Sequence, residues 1–343
     1  MFEALRFRAL LAVAVAAAAG CSGSSGSPTS GQASLLPSSG RAAPGARLAH
    51  GLALVGSSLV PRLPQPWNLA HAWPDKKKQR QTLFICDPEN NQVLMYDPNT
   101  PNPSPNGSIT TGIDYPVGVA VDKKGTLYVA NLMGGSPNNG SITVYKAGSS
   151  SPSLTITDGL VNPYSVAVDS HGNLFASNLD SNSIVGYRAG ATSPFETISF
   201  SPYGQADGIA TDANDNLWIA NGFVNEVDEI PAGSSTPQDA NLSGLNGPTD
   251  VSFGEKGVMY VSDFIGGAVS VYKSRMTSPW TFITKGIENQ GPTYGGFTSS
   301  DYYFQTNQTL NVVGYKKGKA SPFSTITGIE DPRGIASTPA VTK

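Results

Sequence analysis

The chain has 343 residues, of which 14% are charged, and its formal net charge is −3 at pH 7. This balance excludes the basic face that nucleic-acid binding requires, so we expect no nucleic-acid partner. The 38 glycines and 26 prolines are typical of many short strands joined by turns, which predicts an all-β fold.

The N-terminal segment has the pattern of a secretory signal. Two arginines precede an apolar run from Ala9 to Ala19, which Gly20 and Cys21 follow. The run is too short to cross a bilayer, and the order of basic, apolar and small residues predicts a signal peptide over residues 1–20. The closing letters AAGC resemble a bacterial lipobox, which implies lipidation of Cys21, although the family usually has leucine where this chain has Ala18. The alternative is ordinary cleavage beside an incidental cysteine.

The next segment, residues 21–78, is rich in Ser, Gly, Pro and Ala near its start. Such a composition buries little apolar surface, so we interpret residues 22 to about 46 as a flexible tether behind the lipidated cysteine. For residues 47–78 two alternatives stay open, packing along the outside of the domain or disorder. Several acyl chains would give a stable membrane anchor. The sequence thus predicts a lipoprotein of the bacterial cell envelope, on the outer-membrane, periplasmic or surface side. Cys86 lies in an apolar run and is predicted to be a small buried side chain.

From residue 79 to residue 343 a unit of about 43 residues recurs, which predicts a repeat architecture. The clearest copy is PVGVAVDKKGTLYVAN, beginning at Pro116. Related copies begin at Pro163, Ala206 and Pro248. Each copy predicts two apolar strands around a tight turn, in which Asp122, Asp169 and Asp212 are expected to form the turns.

Two further strands follow in each unit. A phrase such as VYKAG or GYRAG indicates a third strand, and a proline then precedes a fourth run such as SLTIT. The first copy, from Thr82, lacks a first strand, while residues 331–338 form a first strand with nothing after it. Together they complete one blade, so we predict a six-bladed β-propeller with four-stranded blades, closed by the C-terminal strand. In the degenerate sixth copy, the second strand is predicted to be Tyr303–Thr306.

The repeat resembles the NHL repeat, and it is similar to the gluconolactonase type of six-bladed propeller, over residues 82 to 338. The resemblance implies an architecture that hosts binding modules, lactonases and lyases. The gluconolactonase type holds a metal through a Glu of the first blade with Asn and Asp at the mouth. Asn178 and Asp263 match the last two, but no matching Glu lies near residue 84. Streptogramin lyases use a channel histidine, whereas the repeats contain only His171, in a turn at the far edge.

The hairpin in each blade predicts where a site would lie. The start of strand one and the end of strand two meet at one mouth of the central channel. The strand-one starts are Val117, Tyr164, Asp207, Thr249, Thr293 and Arg333. The strand-two ends are Asp87, Asn131, Asn178, Asn221, Asp263 and Thr306.

The strand-two set is nearly uniform, which favours capping of loop backbone over ligand binding. The strand-one set differs between blades, as a site would. Our ligand-binding candidates are therefore Tyr164, Asp207, Thr249, Thr293 and Arg333. Alternatively, Asp207 and Arg333 neutralise each other across the channel.

Oxygen ligands suit calcium or another divalent cation. The candidate metal ligands are Asp87, Asn178, Asp207 and Asp263.

The repeats carry no histidine at the mouth that could serve a catalytic triad, so we predict no catalytic residue. The leading hypothesis is a monomeric binding module for a small molecule, a carbohydrate or a protein. The alternative is a metal-dependent hydrolase of the gluconolactonase type.

Overall fold

A computed structural model describes residues 81–135, 139–200, 204–288, 291–308 and 310–338. The predicted signal peptide, Cys21 and the tether lie outside these residues. The described part contains 24 β-strands and two short 3-10 helices, Pro88–Asn90 and Glu255–Gly257. No helix within it is long and apolar enough to cross a membrane.

The strands form six antiparallel sheets of four strands each, which confirms the predicted architecture. We number the blades from the N-terminus and give each from its innermost to its outermost strand. Blades 1 to 3 are β24 (Ile335–Thr338), β1 (Thr82–Asp87), β2 (Gln92–Tyr96), β3 (Gly107–Ile109); β4 (Pro116–Val121), β5 (Leu127–Asn131), β6 (Ser141–Tyr145), β7 (Leu154–Ile156); and β8 (Pro163–Val168), β9 (Leu174–Asn178), β10 (Ser183–Tyr187), β11 (Glu196–Ser199). Blades 4 to 6 are β12 (Ile209–Thr211), β13 (Leu217–Asn221), β14 (Glu226–Ile230), β15 (Gln238–Asp239); β16 (Pro248–Phe253), β17 (Met259–Asp263), β18 (Ala268–Tyr272), β19 (Thr281–Ile283); and β20 (Pro292–Phe297), β21 (Tyr303–Asn307), β22 (Asn311–Tyr315), β23 (Pro322–Thr327).

The two ends of the propeller close the ring in blade 1. Strand β24 pairs antiparallel with β1, from Thr82 opposite Thr338 to Ile85 opposite Ile335. The pairing continues past the strand, since the Cys86 amide donates to Gly334 O at 2.9 Å. Strand β24 thus covers the inner edge of β1 and gives blade 1 its fourth strand.

The second strand of blade 1 shows why these runs are apolar throughout. Phe84 and Cys86 pack into a core shared with blade 2, while Leu83 and Ile85 pack into a core shared with blade 6. Both faces are buried, because side chains alternate along a strand and a blade lies on either side. Cys86 is a buried free thiol, as predicted, and burial raises its pKa.

In four blades, a tyrosine at the end of the third strand joins the blade to the connection that precedes it. Each hydroxyl donates to a backbone carbonyl of that connection. These bonds are Tyr145 to Thr111 O (2.7 Å), Tyr187 to Asp158 O (2.6 Å), Tyr272 to Ser243 O (2.8 Å) and Tyr315 to Lys285 O (2.8 Å).

The inner strands approach each other closely around the channel. The Gly334 amide donates to Val117 O of the next blade at 2.9 Å. A Cβ on Gly334 would lie 2.8 Å from that oxygen, and a Cβ on Gly118 would lie 2.6 Å from Tyr164 O. Glycine therefore permits the narrow inner ring at these positions.

The turn end of the hairpins is scaffold, as predicted. The Oδ1 atoms of Asp122, Asp169 and Asp212 accept from amides two and four residues later, at 2.8 to 3.0 Å. His171 lies in one of these turns with 75% of its side chain exposed. It lies at the end of the channel opposite the predicted site.

The prediction for the second strand of blade 6 was wrong by one residue. Asn307 pairs with Pro292, as Asn131 pairs with Pro116, so the equivalent of the strand-two Asn is Asn307 and not Thr306. The polar residues Gln305 and Thr306 replace the usual apolar and small pair, which obscured the register. Thr306 instead bonds Thr293, with 2.8 Å between the two Oγ1 atoms.

Candidate functional site

The strand-two Asn and Asp side chains cap the loops that lead into strand one. In blade 3, Asn178 Oδ1 accepts from the Val161 amide at 3.0 Å and Nδ2 donates to Gly159 O at 2.9 Å. Equivalent amide bonds reach Asn131 from Asp114 (3.0 Å), Asn221 from Gln205 (3.0 Å) and Asp263 from Asn246 (2.9 Å). Their oxygens therefore accept from partly buried backbone amides, as the capping interpretation expected.

The strand-one starts instead converge on a cavity. It has a volume of about 340 Å³ and lies at the end of the channel where the first strands begin. All five ligand-binding candidates line it: Tyr164, Asp207, Thr249, Thr293 and Arg333. We call this space the mouth cavity.

The four candidate metal ligands are not brought together. Asp207 lines the mouth cavity, whereas Asp87, Asn178 and Asp263 do not. Burial raises the pKa of Asp263 to about 6, against the backbone amides of Asn246 and Gly266, which lower it. Among the described residues, no three His, Cys, Asp or Glu side chains form a group suited to a metal ion.

Arg333 is paired within its own turn. Its Nη2 lies 3.0 Å from Asp331 Oδ2, and Nη1 donates to the Tyr164 hydroxyl at 3.4 Å. Burial is the largest influence and lowers the pKa of Arg333, but the Asp331 carboxylate, Tyr164 and Tyr294 together outweigh it, so the pKa is raised. Asp331 has a left-handed backbone, with φ 56°. The structure therefore pairs Arg333 with Asp331, and in the described residues no ion pair joins it to Asp207.

Asp207 accepts one long hydrogen bond at the mouth cavity. It is half-buried, and the single hydrogen bond to its carboxylate among the described residues comes from the Gly222 amide, 3.4 Å from Oδ2. Burial raises the pKa of Asp207 to about 7, with slight opposition from that amide. Because no cation or strong donor faces it, its charge changes near neutral pH.

The two threonines form cavity wall and do not offer free donors. Thr249 Oγ1 lies 3.0 Å from Thr293 O and 3.2 Å from Pro292 O. Thr293 Oγ1 lies 3.2 Å from Thr306 O. Their hydroxyls therefore stabilise contacts between and within blades 5 and 6.

The sequence interpretation missed a second group of lining residues, which lie one to three residues after the strand-two caps. These residues are Leu179, Gly222, Phe223, Phe264, Gln308 and Leu310. Phe223 is 42% exposed and Leu310 is 55% exposed. A signal was present, since the residue after each cap differs between blades although the caps hardly vary.

Leu310 differs in residue type from the equivalent position of the other five blades. The residue before each third strand has a left-handed backbone and is Asn or Gly elsewhere: Asn91, Gly140, Asn182, Asn225 and Gly267. Leu310 has φ 75° at this position. A side chain with a Cβ costs about 1 kcal/mol there unless it bonds locally as Asn does. An exposed leucine at this position disfavours the fold.

A second cavity, of about 210 Å³, occupies the channel towards the turn end. Tyr294 lines it and packs against Tyr164 of the mouth cavity, with ring centroids 5.9 Å apart. Asp250 also lines it, accepts from the Gly295 amide at 2.8 Å, and has a pKa that burial raises well above its usual range. The tyrosine pair thus lies between the two cavities.

No protein-family model matches the sequence, and no curated protein matches it. A chain in the crystal structure of a nidogen/laminin complex is similar in structure, with a TM-score of 0.62, 13% identity, and coverage of 77% of this chain and 99% of that chain. Virginiamycin B lyase from Staphylococcus aureus has a TM-score of 0.46, 12% identity, and coverage of 59% and 66% respectively. Kuenenia stuttgartiensis hydrazine synthase has a TM-score of 0.48, 17% identity, and coverage of 60% and 64%. At these identities a likeness shows the fold alone, and the first of them agrees with the six-bladed β-propeller that the strand pairing shows.

Proposed function

We propose that this protein is a binding module that takes a small molecule into the mouth cavity. The observation that carries the proposal is Leu310, because both its backbone conformation and its exposure disfavour the folded chain. Backbone strain of this kind concentrates at functional sites. Leu310 and Phe223 both line the cavity, so a ligand there would cover both side chains.

The cavity has the general character of a small-molecule site. Its volume of about 340 Å³ lies within the usual range, and four apolar side chains, Leu179, Phe223, Phe264 and Leu310, line it together with polar and charged groups. Residues from five blades, all except blade 2, contribute to the lining, so the closed ring would hold them in fixed positions.

We predict that Leu310→Asn makes the protein more stable but weakens ligand binding. Asn suits the left-handed backbone, so we expect the free energy of unfolding to rise by about 0.5–1 kcal/mol. Ligands found by a thermal-shift screen of the full chain should lose most of their stabilising effect in the variant, because the apolar contact is gone.

Trp280→Ala is the matched control, since Trp280 is 57% exposed on the outer side of blade 5. It should leave the ligand-induced shifts unchanged. Shifts that persist in Leu310→Asn and disappear in Trp280→Ala would place the site elsewhere and refute the proposal.

We further propose that the propeller is attached to the bacterial envelope through lipidated Cys21. The support is the lipobox-like end of the apolar run and the tether behind it. Cys21→Ala should abolish fatty-acid labelling and release the protein from membranes. Labelling that survives the substitution would contradict this assignment.

A metal-dependent hydrolase is the second candidate. The observation in its favour is Asp207, whose pKa of about 7 suits a general base. Against it, Asp87, Asn178 and Asp263 do not share the cavity of Asp207. Turnover of lactones, esters or glycosides that depends on a divalent metal and is lost in Asp207→Ala would favour the hydrolase over the binding module.

A further inference from the structure

We propose that the mouth cavity selects an organic ammonium ion with an apolar body, the ammonium lying against the Asp207 carboxylate and the body against Phe223 and Leu310. This inference rests on the proposed binding function and specifies its ligand class. Three properties of the cavity support it: the sign of its charge, the state of its one cation, and the position of its apolar side chains.

The cavity carries an excess of carboxyl groups. Four acidic residues and one basic residue line it, and the acids are Glu89, Asp207, Glu330 and Asp331. Asp331 is committed to the guanidinium at 3.0 Å. Glu89 accepts from the Tyr115 hydroxyl at 3.3 Å, and Glu330 is exposed. Asp207 is therefore the half-buried acid that a ligand inside the cavity would meet.

The one cation of the cavity does not favour an anionic ligand. The guanidinium of Arg333 already has its counter-charge in Asp331 and a further contact with the Tyr164 hydroxyl. An entering carboxylate would have to displace or approach Asp331 while also facing Asp207. Like charges in a partly desolvated space make that arrangement unfavourable.

The apolar side chains fix where the rest of the ligand would lie. Phe223 and Leu310 are both exposed at the mouth, and the buried Phe264 and the half-buried Leu179 extend the apolar lining. Aromatic faces also attract an organic cation. A ligand with one ammonium and a compact apolar part would contact the Asp207 carboxylate and the apolar side chains at the same time.

Binding should depend on pH through Asp207. The titratable groups that share its surroundings are Tyr164, Glu89, Glu330, Asp331 and Arg333 in the cavity, and Asp250, which packs against Gly208. Burial raises the pKa of Tyr164, so the tyrosine stays neutral over the working range. An ammonium favours the ionised carboxylate, so affinity should rise as pH increases through about 7, and binding below that pH should release a proton from Asp207.

The test is isothermal titration of the full chain with three probes of similar shape: 2-phenylethylammonium, 2-phenylethanol and phenylacetate. We expect the ammonium to bind at least about tenfold more tightly than either other probe at about pH 8. At about pH 6 its binding should release close to one proton, seen by comparing buffers of different ionisation enthalpy. Asp207→Asn should weaken ammonium binding by roughly 30-fold and abolish the proton release.

Asp239→Asn is the matched control, because it removes the same charge from an exposed position on the outermost strand of blade 4. It should leave both the affinity and the proton release unchanged. Equal or tighter binding of the alcohol or of phenylacetate would overturn the ligand class while leaving the binding function in place. Failure of the ammonium to bind at all would also overturn it, and the Leu310→Asn screen would then decide the binding function separately.

Discussion

At the scale of single residues, the channel mouth contains two kinds of acid. Asp263 satisfies a backbone amide at 2.9 Å, while Asp207 has one amide contact at 3.4 Å. Both carboxyl groups are raised in pKa by burial, Asp263 to about 6 and Asp207 to about 7. The two acids differ in what they contact: Asp207 lines the mouth cavity, whereas Asp263 does not.

This environment predicts how Asp207 affects stability as pH changes. The folded state holds the Asp207 proton more tightly than the unfolded state does, so its contribution is favourable at low pH and is lost as pH rises from about 3.8 to about 7. Asp207→Asn, which mimics the neutral acid, should be more stable than wild type above pH 7, by about 1–3 kcal/mol. The measurement is denaturant unfolding of both proteins across this pH range.

Asp250 and Asp263 titrate in both proteins, so the difference between the two stability curves isolates Asp207. A difference that does not change between about pH 4 and pH 8 would contradict a raised pKa at this position.

At the scale of the blade, the hairpin of strands one and two has a structural end and a variable end. The turn Asp residues and the strand-two caps keep nearly the same bonds in several blades. The residues at strand-one starts, and those directly after the caps, differ from blade to blade. Uniform positions hold the scaffold together, and variable positions line the mouth cavity.

Asn178, the strand-two cap of blade 3, tests whether these uniform residues are structural. Asn178→Ala removes the acceptor for the Val161 amide and the donor for Gly159 O, leaving these two partly buried hydrogen bonds without their side-chain partner. We expect the free energy of unfolding to fall by about 2 kcal/mol. Probe affinity at the mouth cavity should stay unchanged, because Asn178 does not line it.

Denaturant unfolding and calorimetric titration of the same variant provide the two readouts. Loss of affinity without loss of stability would show that Asn178 contacts the ligand directly, which would favour the metal or ligand role over the cap.

At the scale of the whole molecule, much of the architecture could be predicted from the sequence. The period, the four strands per unit and the incomplete first and last copies were enough to predict closure by β24. The sixth copy was misaligned, because Gln305 and Thr306 interrupt the apolar pattern that indicates a second strand. Its correct cap, Asn307, appears only through its pairing with Pro292.

The site could be predicted in part. The five strand-one candidates meet in one cavity because the hairpin geometry repeats in every blade. The pairing of Arg333 with Asp331 was not predictable, since it depends on the left-handed turn at Asp331. Phe223 and Leu310 were missed because no periodic pattern marks a residue in the loop between strands two and three.

The most direct test of the account is a crystallographic fragment screen of the protein with a chemically diverse set of small molecules. We predict that bound fragments concentrate in the mouth cavity, against Asp207, Phe223 and Leu310. Fragments that gather in the turn-end cavity, or beside Trp280 on the outside of blade 5, and leave the mouth cavity empty would contradict it.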